Sequence, residues 1–165
     1  MARHSAPPQD KDAAERKVIA TNRKARYDYT VIETCEAGIE LRGSEVKSLR
    51  AAKAQLVDAY ATIDEGQIYL RQLHISPYDP ASYDNHEPMR TRRLLLHKAE
   101  IRRLRTKLEE KGLTMVPLSL YFRDGKVKVE LALVRGRREY DKRAKMDDRR
   151  ARNEIRSIMR GERLE

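Results

Sequence analysis

Val116-Pro117-Leu118-Ser119-Leu120-Tyr121-Phe122-Arg123-Asp124-Gly125-Lys126-Val127-Lys128-Val129-Glu130-Leu131-Ala132-Leu133 is the stretch whose reading decides the fold. Val116, Leu118, Leu120 and Phe122 alternate on one side, and Val127, Val129, Leu131 and Leu133 alternate on the other. Asp124-Gly125 between them suits a tight turn. The expectation is a β-hairpin with one apolar face per strand.

Upstream, Ile101, Leu104 and Leu108 recur at helical spacing within His97 to Lys111, which ends at Gly112 where a left-handed C-cap is favoured. Val57, Ala59, Ala61 and Ile63 alternate up to Asp64-Glu65-Gly66, and Gln67 to about Ile75 returns as a second strand pair. Ser76 to Met89, broken by Pro77, Pro80 and Pro88, reads as a loop. Ser44 as N-cap, with Val46, Leu49 and Ala52 at spacing three, predicts a short helix to about Ala54. Tyr29, Val31 and Cys35 lie on one period-2 face, Ala37-Gly38 breaks the pattern, and Ile39 and Leu41 resume it. Two strands joined near Glu36-Ala37-Gly38 are expected there. Six antiparallel strands satisfy their edges by closure, so the predicted fold is mainly β: an OB-like closed antiparallel six-stranded barrel with two or three short helices. A sandwich is the alternative.

Charge divides the chain further. The 165 residues carry 36 Lys+Arg against 26 Asp+Glu, a net charge of +10. Met1 to Arg26 holds 7 basic and 3 acidic residues, and Gly136 to Glu165 holds 11 and 7, so most of the excess sits on the ends. Residues 1–17 lack apolar periodicity and are expected to be a disordered arm, 18–135 the barrel, and 136–165 a basic tail. In that tail Ala151, Ile155, Ile158 and Met159 share one helical face, and Arg149, Arg152, Arg156 and Arg160 line the opposite one. A helix of three to four turns is marginal alone in water, so this one, at about 148–160, is expected to form when a partner receives it.

Chemistry is excluded more readily than found. The single Cys35 allows no internal disulfide, and no Cys/His pair has zinc-ligand spacing, so no metal or other cofactor is expected and a reducing compartment fits. No run approaches a membrane span and none resembles a signal peptide, so a cytoplasmic protein without membrane contact, acting as a monomer, is expected. The four histidines form no catalytic constellation. His86 with Asp84 and Glu87 is the one loop group that could act on a phosphodiester. RNA binding has better support. Asn22-Arg23-Lys24-Ala25-Arg26 precedes a tyrosine-bearing strand and Arg90-Thr91-Arg92-Arg93 precedes Leu94-Leu95-Leu96, placing basic clusters beside planes that stack on unpaired bases. A solvated charge run is the plainer reading of each cluster alone.

Asn22-Arg23-Lys24-Ala25-Arg26-x-x-Tyr29, followed by Glu36-Ala37-Gly38-Ile39-x-Leu41-x-Gly43-x-Glu45-Val46-Lys47-Ser48-Leu49-Arg50, closely resembles the small protein B (SsrA-binding protein) family of bacterial trans-translation. Arg90-Thr91-Arg92-x-Leu94-Leu95-Leu96 and Asp141-Lys142-Arg143 continue the likeness, which covers Ile19 to Arg160. The resemblance implies a non-enzymatic barrel that holds the tRNA-like domain of transfer-messenger RNA (SsrA RNA) and brings it to stalled ribosomes. The tail would occupy the empty mRNA channel and decoding centre, against small-subunit RNA.

By motif position, Glu36, Leu95 and His97 would meet the tRNA-like domain, with Asn22, Lys24, Arg26, Lys47, Arg50, Arg90 and Arg92 also on the RNA side. Glu36 would accept hydrogen bonds from RNA, fix a neighbouring arginine, or stabilise the turn. Gly136, Arg137, Arg138, Tyr140, Asp141, Lys142 and Arg143 would lie toward the decoding centre, with Arg149, Arg152, Ile155, Arg156, Met159 and Arg160 along the channel. His97 stands where many members carry Asn, and Tyr140 where many carry His, which removes any imidazolium from that second position. A general RNA chaperone or ribosome-associated RNA-binding protein, and more remotely a nuclease, are the rival readings.

Overall fold

The computed structural model describes residues 16–79, 85–110 and 112–161. The expected arm at 1–17 lies almost wholly outside the described residues, as does Asp84. In order, the elements are β1 (Lys17–Thr21), α1 (Arg23–Asp28), β2 (Tyr29–Ile39), α2 (Gly43–Arg50), β3 (Ala54–Gln55), β4 (Tyr60–Asp64), β5 (Gln67–Arg71), β6 (His74–Ile75), β7 (Arg92–Leu95), α3 (Lys98–Leu108), β8 (Leu113–Arg123), β9 (Lys126–Gly136) and α4 (Glu139–Met159). The main sheet runs β1-β8-β4-β5-β7-β2-β9, and β9 pairs back onto β8, so six strands form a ring with β1 added outside on β8. Every pairing is antiparallel. β3 and β6 form a separate short pair.

The hairpin forms as its alternation predicts: Arg123 pairs with Lys126 across a turn in which Asp124 (φ 50°) and Gly125 (φ 73°) both take the left-handed conformation. β9 keeps the expected face, with Val127, Val129, Leu131 and Leu133 all in the main core, but β8 does not. A bulge between Pro117 and Ser119 shifts the register. Met115 and Leu120 therefore join the main core inside the ring, while Val116 and Leu118 turn outward to pack with Ala132 and Val134 beneath Ala25 of α1. The bulge makes two cores possible, one inside the ring and one between the ring wall and α1.

Asn22 fastens that second core. Its Nδ2 donates to Leu56 O (3.0 Å) and to Pro117 O at the bulge (3.1 Å), its Oδ1 accepts Ala25 N (3.0 Å), and its backbone N donates to Leu118 O (2.7 Å). The basic cluster that the sequence offers as an RNA grip is thus a short helix with a buried asparagine as its N-cap.

The expected turn at Glu36-Ala37-Gly38 does not exist. β2 is one strand of 11 residues, and Ala37 and Gly38 pair with Val129 and Lys128 of β9 while Gly38 also pairs with Leu95 of β7. Partners on both sides override the weak strand preference of two small residues. Ile39 and Leu41 accordingly start no new strand, and β7 takes the sixth place in the ring. It went unread because its first residue is an arginine, yet Arg92 is fully buried and Leu95 is 50% exposed.

Arg92 can be buried because Glu45 is. Glu45 accepts Arg92 Nε (2.8 Å), Arg90 Nη2 (2.8 Å) and the backbone N of Arg42 (2.7 Å). The other nitrogens of Arg92 reach Leu73 O (2.7 Å), Arg90 O (3.0 Å) and Pro88 O (3.2 Å). Glu45 also sets the start of α2, so that helix begins at Gly43 rather than at a Ser44 cap; Ala52, with φ 55°, lies beyond its end at Arg50. His86 is buried too, its ring nitrogens bonded to Ser44 Oγ (3.0 Å) and Ile75 O (2.9 Å), which pins the loop to α2. α3 closes one end of the ring with Ile101 and Leu104, and Glu33 of β2 pairs with Arg103 (2.6 Å) and Lys107.

Among the described residues three short helices, α1, α2 and α3, accompany the ring, and a fourth, α4, lies in the tail. α4 spans 21 residues and begins at Glu139, earlier than the expected 148. Its root is ordered by the body: Arg137 N donates to Asp28 O (3.0 Å), Lys142 Nζ pairs with Asp28 (3.3 Å) and Lys145 Nζ donates to Arg26 O (3.1 Å). No described helix is long and apolar enough to cross a membrane.

Burial, the largest influence, pushes the Glu45 carboxyl up, but its bonds from Arg90, the Arg42 amide and Arg92 hold it below the ordinary carboxylate range. A depressed folded-state value means that this stabilisation is complete above the unfolded-state value of about 4.3 and is lost as pH falls through the folded one. Glu45→Ala is expected to cost about 3 to 5 kcal/mol in urea unfolding at neutral pH, since it strands two arginines. Glu45→Gln should also flatten the acid limb of the stability curve below about pH 4.

Candidate nucleic-acid interface

The outer face of β2, β9 and β8 carries polar side chains where the inner face carries the core. Glu36 stands opposite Glu130, and Tyr121 opposite Lys128. The Glu36 carboxylate accepts the Tyr121 hydroxyl and Nη1 of Arg123 (3.2 and 3.3 Å). Burial acts first to raise its pKa, yet those two donors and the charges of Arg123 and Lys128 keep it low. Tyr121 is pushed far above the usual phenol range, by burial and then by Glu36, so it remains a neutral donor. The Arg16 guanidinium lies 5.0 Å over the Tyr121 ring.

Of the roles open to Glu36, the structure therefore supplies the second: it fixes a neighbouring arginine, and no turn exists for it to stabilise. Beside it, Gly38 lets β7 lie flush. A Cβ there would stand 3.2 Å from Leu95 Cβ, and Leu95 is left projecting from the surface. His97 is exposed at the start of α3, where its backbone N donates to Glu100 (3.1 Å).

The other residues singled out by sequence separate into groups. Lys24 and Arg26 are exposed on α1 and pair loosely with Asp58 and Glu130, each at 3.7 Å. Lys47 is exposed with its Nζ 5.4 Å over the Tyr78 ring, and Arg50 is exposed at the end of α2. Asn22 and Arg92 are buried and have no surface with which to meet RNA, and Arg90 is committed to Glu45. Those three hold the fold. Gly136 ends β9, Arg137 bonds Thr30 Oγ1 (3.2 Å), and Arg138 is exposed. Lys142 is half-buried against Asp28; Arg143, Arg149, Arg152, Arg156 and Arg160 are exposed along α4, as are Ile155 and Met159. The side chains of Tyr140 and Asp141 lie outside the described residues.

Sequence reading missed Arg16, Tyr121, Arg123 and Lys128. The available signal was the second face of the hairpin: Tyr121, Arg123, Lys126 and Lys128 interrupt its apolar alternation with groups suited to phosphates and bases. Loop chemistry at His86 is excluded, because both ring nitrogens are engaged in the interior. Among the described residues no group of three His, Cys, Asp or Glu could hold a metal.

The projecting leucine, the braced carboxylate and the cations around them lie on an open face of the ring. The family model for the SmpB protein matches residues 19–161, and the chain belongs to that family. The SsrA-binding protein of Acidothermus cellulolyticus is 60% identical over 140 residues, 85% of this chain and 88% of that protein. That of Rhodococcus jostii is 59% identical over 140 residues, 85% of this chain and 89% of that one. A chain in the solved structure "tmRNA-SmpB: a journey to the center of the bacterial ribosome" is 52% identical and superposes with a TM-score of 0.62, covering 72% of this chain and 84% of that chain.

Tyr121→Phe removes a donor that stabilises the ionised Glu36. The Glu36 carboxyl pKa is expected to rise in the variant, read by a carboxyl carbon NMR titration, with the fold retained.

Proposed function

We propose that this protein is an RNA-binding adaptor of trans-translation. It binds the tRNA-like domain of transfer-messenger RNA and delivers it to stalled ribosomes, and it is not an enzyme. The observation that carries the reading is Leu95, half exposed beside a Glu36 carboxylate that accepts from Tyr121 and Arg123. A leucine left in water on a pleated surface suits the face of a splayed base, while the braced arginine suits phosphate. Family membership, and the relatives named as SsrA-binding proteins, support it.

We read the six-strand ring as an OB-like barrel, with 18–135 as the RNA-binding unit, a separate arm at 1–17 and the tail at 136–165. Glu36, Leu95 and His97 form the centre of the RNA surface, with Lys24, Arg26, Lys47 and Arg50 at its margins. The tail occupies the vacant mRNA channel as a helix, Gly136 to Arg143 nearest the decoding centre and Arg149, Arg152, Arg156 and Arg160 facing ribosomal RNA phosphates.

Glu36→Ala is expected to weaken binding of the tRNA-like RNA by about 1 to 3 kcal/mol although it removes a negative charge, because it releases the Arg123 and Tyr121 side chains that Glu36 positions on the RNA face. A gel-shift titration in which a folded variant binds as well as the parent would remove Glu36 from the site. Equal affinity for unrelated structured RNAs would favour a general chaperone. Ile155→Pro, costing about 3 kcal/mol in a helix interior, should abolish peptide tagging on stalled ribosomes while leaving free RNA binding unchanged. Ile155 is 57% exposed, so the melting temperature of the body should hold as well.

A further inference from the structure

Lys24, Lys53, Lys107 and Lys142 face the carboxylates of Asp58, Asp79, Glu33 and Asp28. Lys145 is held differently, its Nζ donating to a neutral acceptor, the backbone oxygen of Arg26 (3.1 Å). A lysine beside a carboxylate gives up an ion pair when it loses its proton. One beside a carbonyl keeps its hydrogen bond as a neutral amine, which still has N–H groups to donate and gains a free lone pair.

The surroundings favour that neutral form. Desolvation first, and then the charges of Arg137 and Arg149, push the Lys145 amine below its ordinary range. Lys145 also lines an open cleft of about 730 Å³ between α1 and α4, to which α1 contributes Arg23 and Arg26 and α4 contributes Arg150. Asp148 is the sole carboxylate among the described lining residues. A desolvated amine crowded by cations is an activated nucleophile, and the guanidinium groups beside it attract reagents that carry a phosphoryl group.

We propose that Lys145 is a modification site, acylated at Nζ by small acyl phosphates that the arginines of the cleft draw in. The neutral Nζ adds its lone pair to the acyl carbon. The bond from that carbon to the phosphate oxygen breaks, and the phosphate leaves with the bonding pair and takes an amine proton as hydrogen phosphate. The products are an amide and inorganic phosphate, with nothing oxidised or reduced. Arginine stabilises the charge that gathers on the leaving phosphate. The amide is uncharged, so modification removes a cation from the junction of α1 and α4 while the Lys142–Asp28 pair stays. None of this depends on which RNA the protein binds.

The test is incubation of the full chain with acetyl phosphate at neutral pH, with the occupancy of each lysine followed over time by peptide mass spectrometry. The initial rate at Lys145 is expected to exceed by about fivefold the rates at Lys142, three residues before it, and at Lys98, exposed on α3. Arg23→Gln with Arg150→Gln, both exposed positions, should slow acetylation of Lys145 about threefold and leave Lys98 unchanged. With N-acetoxysuccinimide, an uncharged acetyl donor, the same pair should leave the rate at Lys145 unchanged. Equal rates at Lys145, Lys142 and Lys98, a Lys145 rate that the arginine pair does not move, or the same loss with the uncharged donor would each overturn the proposal.

Discussion

The fold depends on a carboxylate with no exposure to water. Glu45 holds Arg92 and Arg90 at once, and Arg92 turns its remaining nitrogens to backbone carbonyls of Leu73, Pro88 and Arg90. Two opposite charges in an interior are tolerable only when their lone pairs and protons find partners, and removing one leaves the other far worse than if neither were there. The pair fixes α2, the loop before β7 and β7 itself. β7 stands between β5 and β2, so the ring closes through it. The pleat does the rest: with Arg92 and Leu94 inside, Arg93 and Leu95 must face out. The apolar residue offered to a partner, Leu95, is outside because a charged one three positions before it, Arg92, is inside.

A second constraint acts on the opposite part of the ring. The bulge at Pro117 frees a carbonyl, and Asn22 takes it while starting α1. α1 then covers an apolar patch of the ring wall and presents its charged side outward and toward α4. One short sequence, Asn22 to Arg26, thus does structural work through Asn22 and Ala25 and leaves Arg23, Lys24 and Arg26 on the surface.

Much of this was legible in the sequence, and the misses share a cause. The hairpin, α3 and the turn at Asp64-Glu65-Gly66 follow from short-range pattern and turn chemistry, which operate within a few residues. What failed depended on partners far along the chain. An arginine at a strand start reads as solvent-facing until Glu45, 47 residues away, is known to be beside it. Ala37-Gly38 reads as a break until strands are seen on both sides, and a bulge leaves no mark on a regular alternation. Within the site, Glu36 and Leu95 were reached only through family likeness, while Tyr121 and Arg123 were visible on the hairpin's second face and were passed over because its first face explained the fold.

The joint between β9 and α4 is two residues long, Arg137 and Arg138, and the first is bonded to Asp28 and Thr30. So short a coupling leaves little freedom of swivel. A helix of 21 residues extends about 31 Å from it, with each added or removed residue changing the reach by about 1.5 Å and turning everything beyond it by about 100°. The tail is in this sense a calibrated spindle: its length and the bearing of its arginines are a single quantity, and neither can drift in evolution without the other.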